Sequence, residues 1–180
     1  MGAVTVARPE ADEFADFYAG YIAEVPTNAD PIEQLATQRE TVQRLLESVP
    51  EERAGFRYSP EKWSIKEVVG HLCDSERIFV YRMLRIARAD ETPLPGFEEK
   101  DYVSEANFDA RMLADLAEEW GAVRAATTAL ARGIAPAAWE HRGTANGKPV
   151  SARALLYITI GHTQHHLGVL RTRYQVGRTT

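Results

Sequence analysis

Two imidazoles four residues apart are the strongest chemical signal in the chain. The run Gly161-His162-Thr163-Gln164-His165-His166 sets them near the C-terminus, inside an otherwise apolar stretch. Successive residues of an α-helix turn by about 100°, so positions four apart share a face. His162 and His166 therefore project side by side, as two nitrogen ligands on one metal ion must. Leu155, Ile158, His162, His166 and Val169 follow the spacing of a buried helical stripe. A histidine in the place of a core leucine needs a partner, since an unpaired buried polar group costs roughly 1–3 kcal/mol. A metal ion is one such partner and hydrogen bonds are the other. His165 is turned about 100° from His166 and falls outside the ligand set, either behind it or on the surface.

Tight metal binding requires a third ligand. The best candidate is His71, which follows the inward Val68 by three residues and borders the apolar stripe of its own helix. If that helix neighbours the C-terminal one, His71 completes a three-histidine face. Taken alone, a helix histidine is more commonly hydrogen-bonded or half-exposed than a ligand. Three neutral imidazoles leave a divalent ion its charge and at least one open position, whereas a fourth protein ligand would close the site and make it structural. An open site lowers the pKa of bound water toward about 7, which gives hydrolysis, or binds a thiol as thiolate, which gives thiol transfer to an electrophile.

The elements that must position these residues read as helices. Asp30-Pro31 places a capping residue before a proline at the first helical position, and Ile32, Leu35, Val42, Leu45, Leu46 and Val49 follow as an apolar stripe that Pro50 ends. Ser64-Ile65-Lys66-Glu67 is a capping box, with Trp63 and Val68 spaced as a hydrophobic staple. This second helix is expected to reach about Asp90, with Val68, Leu72, Phe79, Met83 and Ile86 inward, before Thr92-Pro93-Leu94-Pro95-Gly96 breaks it. A third is expected from near Asp109 to Gly133, with Met112, Leu116, Trp120, Val123 and Leu130 inward. The stretch Arg142 to Lys148 contains Asn146-Gly147 and is either a small hairpin or a plain loop. Ser151 caps the last helix, expected to reach about Tyr174, and Glu10 to Glu24 reads as a shorter helix held across the bundle by Phe14, Phe17 and Tyr21. The expected fold is all-α, a four-helix bundle with a short extra N-terminal helix, in a single domain over residues 1–180 with a core of about 31–175.

Trp63-Ser64, Glu67, His71-Leu72 and Ser75-Glu76-Arg77, in that order and spacing, resemble the DinB-like superfamily of metal-dependent enzymes. So does the late Gly161-His162-Thr163-Gln164-His165-His166-Leu167-Gly168, reached through the Gly143 to Gly147 turn and a capped helix. The resemblance spans Ile32 to Tyr174. It implies a four-helix bundle with nickel or zinc held by three histidines, which match His71, His162 and His166 here. It implies a small-molecule substrate, with a low-molecular-weight thiol as a candidate, because some similar proteins are thiol transferases or isomerases using bacillithiol or mycothiol. Similar proteins often dimerise, so a homodimer is a candidate assembly. Fold alone does not choose among these chemistries.

Around the ligands, Asp74 and Glu76 could orient a histidine or act as a base, but solvated helical carboxylates are the more common outcome. Arg77, Arg82 and Arg85 could bind a carboxylate on a thiol cofactor, or be surface cations. Cys73 reads as a small core residue rather than a nucleophile. His141 reads as an exposed loop histidine that could line a pocket mouth, and Trp139 as an anchor for its connection. Tyr102 and Phe108 either cover the site or tie their loop down. The net charge of −5, without a basic block, argues against nucleic acid. No run approaches the roughly 18 apolar residues of a membrane span. Met1 to Val6 carries neither an export leader nor a myristoylation signal. With one cysteine, a reducing, cytoplasmic setting is expected. The functional expectation is a metal-dependent thiol S-transferase or hydrolase. The alternative is a non-catalytic bundle whose histidine or metal cluster only fixes the core. A di-iron carboxylate bundle is excluded, since no Glu-x-x-His pair occurs.

Overall fold

Three of the four long helices start at a residue whose side chain takes up free amide groups. The computed structural model describes residues 6–177, so the Met1 to Val6 stretch read for a leader lies, but for Val6, outside the described residues. An N-terminal segment makes 3-10 turns at Ala11–Glu13 and Asp16–Tyr18 and then a single short helix, α1 (Ala19–Ala23). The continuous helix expected from Glu10 to Glu24 is thus broken. Phe14 packs on the core, but Phe17 faces solvent. Helix α2 (Pro31–Glu47) begins with Asp30 accepting from the amides of Ile32 (2.8 Å) and Glu33 (3.1 Å). Helix α3 (Ile65–Ala87) begins with the capping box, in which Ser64 Oγ accepts from the Glu67 amide (3.0 Å) and Glu67 accepts from the Ser64 amide (2.7 Å). It stops at Ala87, short of Asp90, because Ala89 turns left-handed (φ 57°) and the chain reverses.

The connection after α3, expected as loop, holds a short helix. Leu94 exchanges backbone hydrogen bonds with Thr144 and Asn146 (2.9 Å each), and helix α4 (Glu99–Ala106) follows. Phe108 then buries its ring against α3, where Gly70 leaves room that a Cβ would fill. Phe108 ties the segment down, while Tyr102 stays exposed. Helix α5 (Leu113–Arg132) buries Leu116 and Trp120 as expected. Its inner face is rotated from the expected one: Met112 is exposed, Val123 and Leu130 are half-buried, and Arg124 occupies the interior at 0% exposure. The stretch after it is a hairpin, β1 (Arg142–Ala145) paired antiparallel with β2 (Lys148–Ser151), closed by Asn146 and Gly147 at φ 52° and 69°. Helix α6 (Ala152–Thr172) is capped by Ser151, whose Oγ accepts from the Ala154 amide (3.0 Å).

In the bundle, α2 packs on α5, α3 on both α5 and α6, and α1 lies across α6. The apolar interior is in two parts. One gathers Leu35, Phe79, Met83, Leu155 and Ile158, and the other Val42, Leu72, Leu116, Trp120 and Leu167. Between them, every long helix contributes buried polar residues: Gln38 from α2, Ser75 and Glu76 from α3, Arg124 and Thr127 from α5, His162 and Thr163 from α6.

Candidate metal centre

Because α3 and α6 are neighbours, their histidines meet at this polar level. His71 Nε2 lies 3.0 Å from His162 Nε2. His71, His162 and His166 each offer one ring nitrogen within 4.8 Å of the other two. His71 and His162 are buried, and His166 is half-buried with its Nδ1 enclosed and without a hydrogen-bond partner. The structure therefore brings together the three residues singled out from the sequence. Burial lowers the pKa of His71 to about 4. Burial, reinforced by His71 and His165, lowers that of His166 to about 3. Burial and the neighbouring His166 and His71 hold His162 well below the ordinary value. Neutral rings keep a free lone pair, which is what a divalent cation requires.

Several groups fix or enclose the rings. Ser75 Oγ lies 3.3 Å from His71 Nδ1, which orients that ring from one turn along its own helix. The Trp63 ring sits 4.7 Å from His71, and Tyr21 and Phe79 lie edge-on to His162 at 5.3 and 5.5 Å. Tyr21 can approach because position 161 is glycine: a Cβ there would run into the Tyr21 carbonyl oxygen. Glu99 of α4 brings a carboxylate oxygen to 3.9 Å from His71 Nε2. Two cavities flank the cluster. One of about 420 Å³ is lined by His162, Ser75, Phe79, Arg82 and Tyr21, and one of about 540 Å³ by His166, His165, Trp63, Tyr58 and Lys62. Glu99 lines both.

The surrounding residues divide differently from the sequence expectation. Glu76 is not a solvated carboxylate. At 2% exposure it accepts from Arg124 Nε (2.8 Å) and Nη2 (2.7 Å) and from Thr127 Oγ1 (2.7 Å). Arg124 also donates to Gln38 (2.7 Å) and Thr163 (2.7 Å), so one network joins all four long helices beside the histidines. Asp74 is half-buried and faces Arg77 at 3.6 Å, and burial raises its pKa. Arg77 pairs with Glu119 (2.6 Å) and Arg85 with Asp90, while Arg82 is buried rather than a surface cation. Cys73 is a core residue whose thiol pKa is pushed far up by burial. His165 is exposed, with its ring 5.5 Å from that of Tyr21. His141 is half-buried, its Nδ1 3.3 Å from the Ala87 carbonyl, away from the centre, and Trp139 is anchored in the core. Sequence reasoning missed Glu99, Tyr21 and the Glu76–Arg124 pair as neighbours of the centre. The Glu98-Glu99 doublet after a proline-glycine break is the nearest thing to a local signal for the first.

A family model described as the DinB superfamily matches residues 34–170. No curated protein matches the sequence. Among solved structures, YfiT from Bacillus subtilis, described as a probable metal-dependent hydrolase with an unusual four-helix bundle topology, aligns with a TM-score of 0.73 and 15% identity, over 96% of this chain and 98% of that one. A mycothiol-dependent maleylpyruvate isomerase aligns with a TM-score of 0.66 and 16% identity, over 88% of this chain but 64% of that one. At such identities the likeness is one of fold. No helix of the described residues is long and apolar enough to cross a membrane.

Proposed function

Because this chain belongs to the DinB superfamily, we propose that it is a metal-dependent enzyme in which His71, His162 and His166 hold one divalent ion, with zinc and nickel the expected metals. One observation carries the reading: three neutral imidazoles from two helices, two of them buried and one half-buried, converge within 4.8 Å, and an enclosed nitrogen of His166 is left without a partner. A divalent ion so held supplies a Lewis acid that lowers the pKa of bound water toward about 7 or keeps a thiol as thiolate. The protein's own groups do the rest. Ser75 keeps the His71 ring turned toward the other two. Trp63, Tyr21 and Phe79 pack their rings against the histidines. Glu99, half-exposed and adjoining both cavities, stands where it can accept a proton from a group bound in either.

A cavity on each side of the histidines gives two reactants separate places, which favours transfer of a small thiol to an electrophile over simple hydrolysis. A protein of the same fold that depends on mycothiol supports that substrate class. The alternative, a hydrogen-bonded cluster that only fixes the core, is favoured by the 3.0 Å contact between His71 and His162.

Metal content by mass spectrometry on tag-free protein separates the two. Near one equivalent is expected in the parent and none in His162→Ala, with helical content kept. Stoichiometric metal retained in the variant would sink the ligand assignment. In cobalt-substituted protein, a small thiol is expected to shift the visible spectrum, and a silent spectrum would leave the structural cluster as the better account.

A further inference from the structure

Charges in a protein interior are ordinarily paired, because taking an ion out of water costs several kcal/mol that only a close counter-charge or full hydrogen bonding offsets. Arg124 follows the rule with Glu76. Arg82 does not. It is 3% exposed, yet it forms no ion pair among the described residues. Its Nη2 donates to the Pro95 carbonyl (2.7 Å), and its guanidinium lies over the Phe97 ring at 5.7 Å. A guanidinium carries five N–H donors; the Tyr18 hydroxyl is its other polar neighbour, and both partners are neutral, so part of the fork and all of its charge are left for something else.

That something has a place to bind. Arg82 lines the cavity of about 420 Å³ into which His162 opens. His71, Ser75, Phe79 and Arg82 recur at helical spacing along one face of α3. The eleven residue steps from His71 to Arg82 span about 16 Å of helix axis, a separation that the arginine shortens by leaning toward the N-terminal end. Glu98 and Glu99 line the same cavity. A polyanion would meet their repulsion, whereas one planar carboxylate matches the fork of Arg82.

We propose that Arg82 is a substrate-recognition residue that binds the carboxylate of a small molecule whose other end reaches the histidine cluster. The far end rests on the metal-enzyme reading. The carboxylate end rests on Arg82 and the cavity alone.

Calorimetric titration with defined probes tests the two ends separately. On metal-stripped protein, hexanoate is expected to bind about tenfold or more tighter than hexanol, as befits hydrogen bonds to a charged group. The preference is expected to fall to about twofold or less in Arg82→Gln and to survive in part in Arg82→Lys. Equal affinity for hexanoate and hexanol in the parent would overturn the proposal without recourse to any variant. So would a preference that persists undiminished in a folded Arg82→Gln. Tighter binding of hexyl phosphate than of hexanoate would overturn the carboxylate assignment. On zinc-loaded protein, 6-mercaptohexanoate is expected to gain about tenfold or more over hexanoate, and to lose that gain in His162→Ala. No gain, with the hexanoate preference intact, would overturn the metal reading and the two-ended substrate but not the anchor.

Discussion

Burial holds the His71 imidazole down to about 4 and that of His166 to about 3, while an unfolded histidine titrates near pH 6.5. Between those values the unfolded, metal-free chain binds protons that the folded chain refuses. Stability is therefore fully present above about pH 7 and falls as pH drops from 6.5 toward 4, by on the order of 1 kcal/mol per pH unit for each such histidine. Urea unfolding of metal-stripped protein at pH 7.5 and 5 is expected to show this fall, with a smaller one in His71→Gln. A midpoint that does not move would mean that the rings are not buried as described. On the proposed three-histidine ligation, zinc-loaded protein is expected to fall more steeply, since protons would also expel the metal. At this scale, His162 and His166 were legible because a four-residue spacing within an apolar run is a local pattern. His71 became legible as their companion only once α3 was expected beside α6. Glu76 was not, because its partner Arg124 lies 48 residues away and nothing adjacent in the chain marks the pair.

The short helix α1 packs across α6 beside the centre, with a close approach of backbone to backbone at Gly161. Gly161→Ala puts a methyl where the Tyr21 carbonyl sits and is expected to cost about 1–3 kcal/mol. It should also loosen the N-terminal segment, so limited proteolysis around Asp16 to Tyr21 is expected to quicken. An unchanged melting temperature together with unchanged protease resistance would show that the close approach is dispensable. Elements with a side-chain cap were plain in the sequence: Asp30, Ser64 and Ser151 each open a helix where expected. Helix α4 was not, since among its residues only Val103 is buried and a proline-glycine break precedes it. The inner face of α5 was misjudged for a physical reason. Counting apolar residues turns Met112, Val123 and Leu130 inward, but a buried Arg124 with its own carboxylate rotates the face instead.

Across the whole bundle, the two apolar halves are joined through a polar layer whose centre is Arg124 with Glu76, Gln38 and Thr163. Removing one member of a buried ion pair leaves an uncompensated charge, so Arg124→Met alone is expected to cost about 3–5 kcal/mol. The double change Glu76→Leu with Arg124→Met should cost much less than the sum of its single changes. A double-mutant cycle by urea unfolding reads the difference, and additive losses would mean that the two residues are independent. The layer also bears on how such a chain can diverge. A lineage cannot alter it one position at a time, because each intermediate carries a lone charge between two greasy halves. Descendants should hold both residues or have exchanged both, and forms with either one alone should be missing among living sequences.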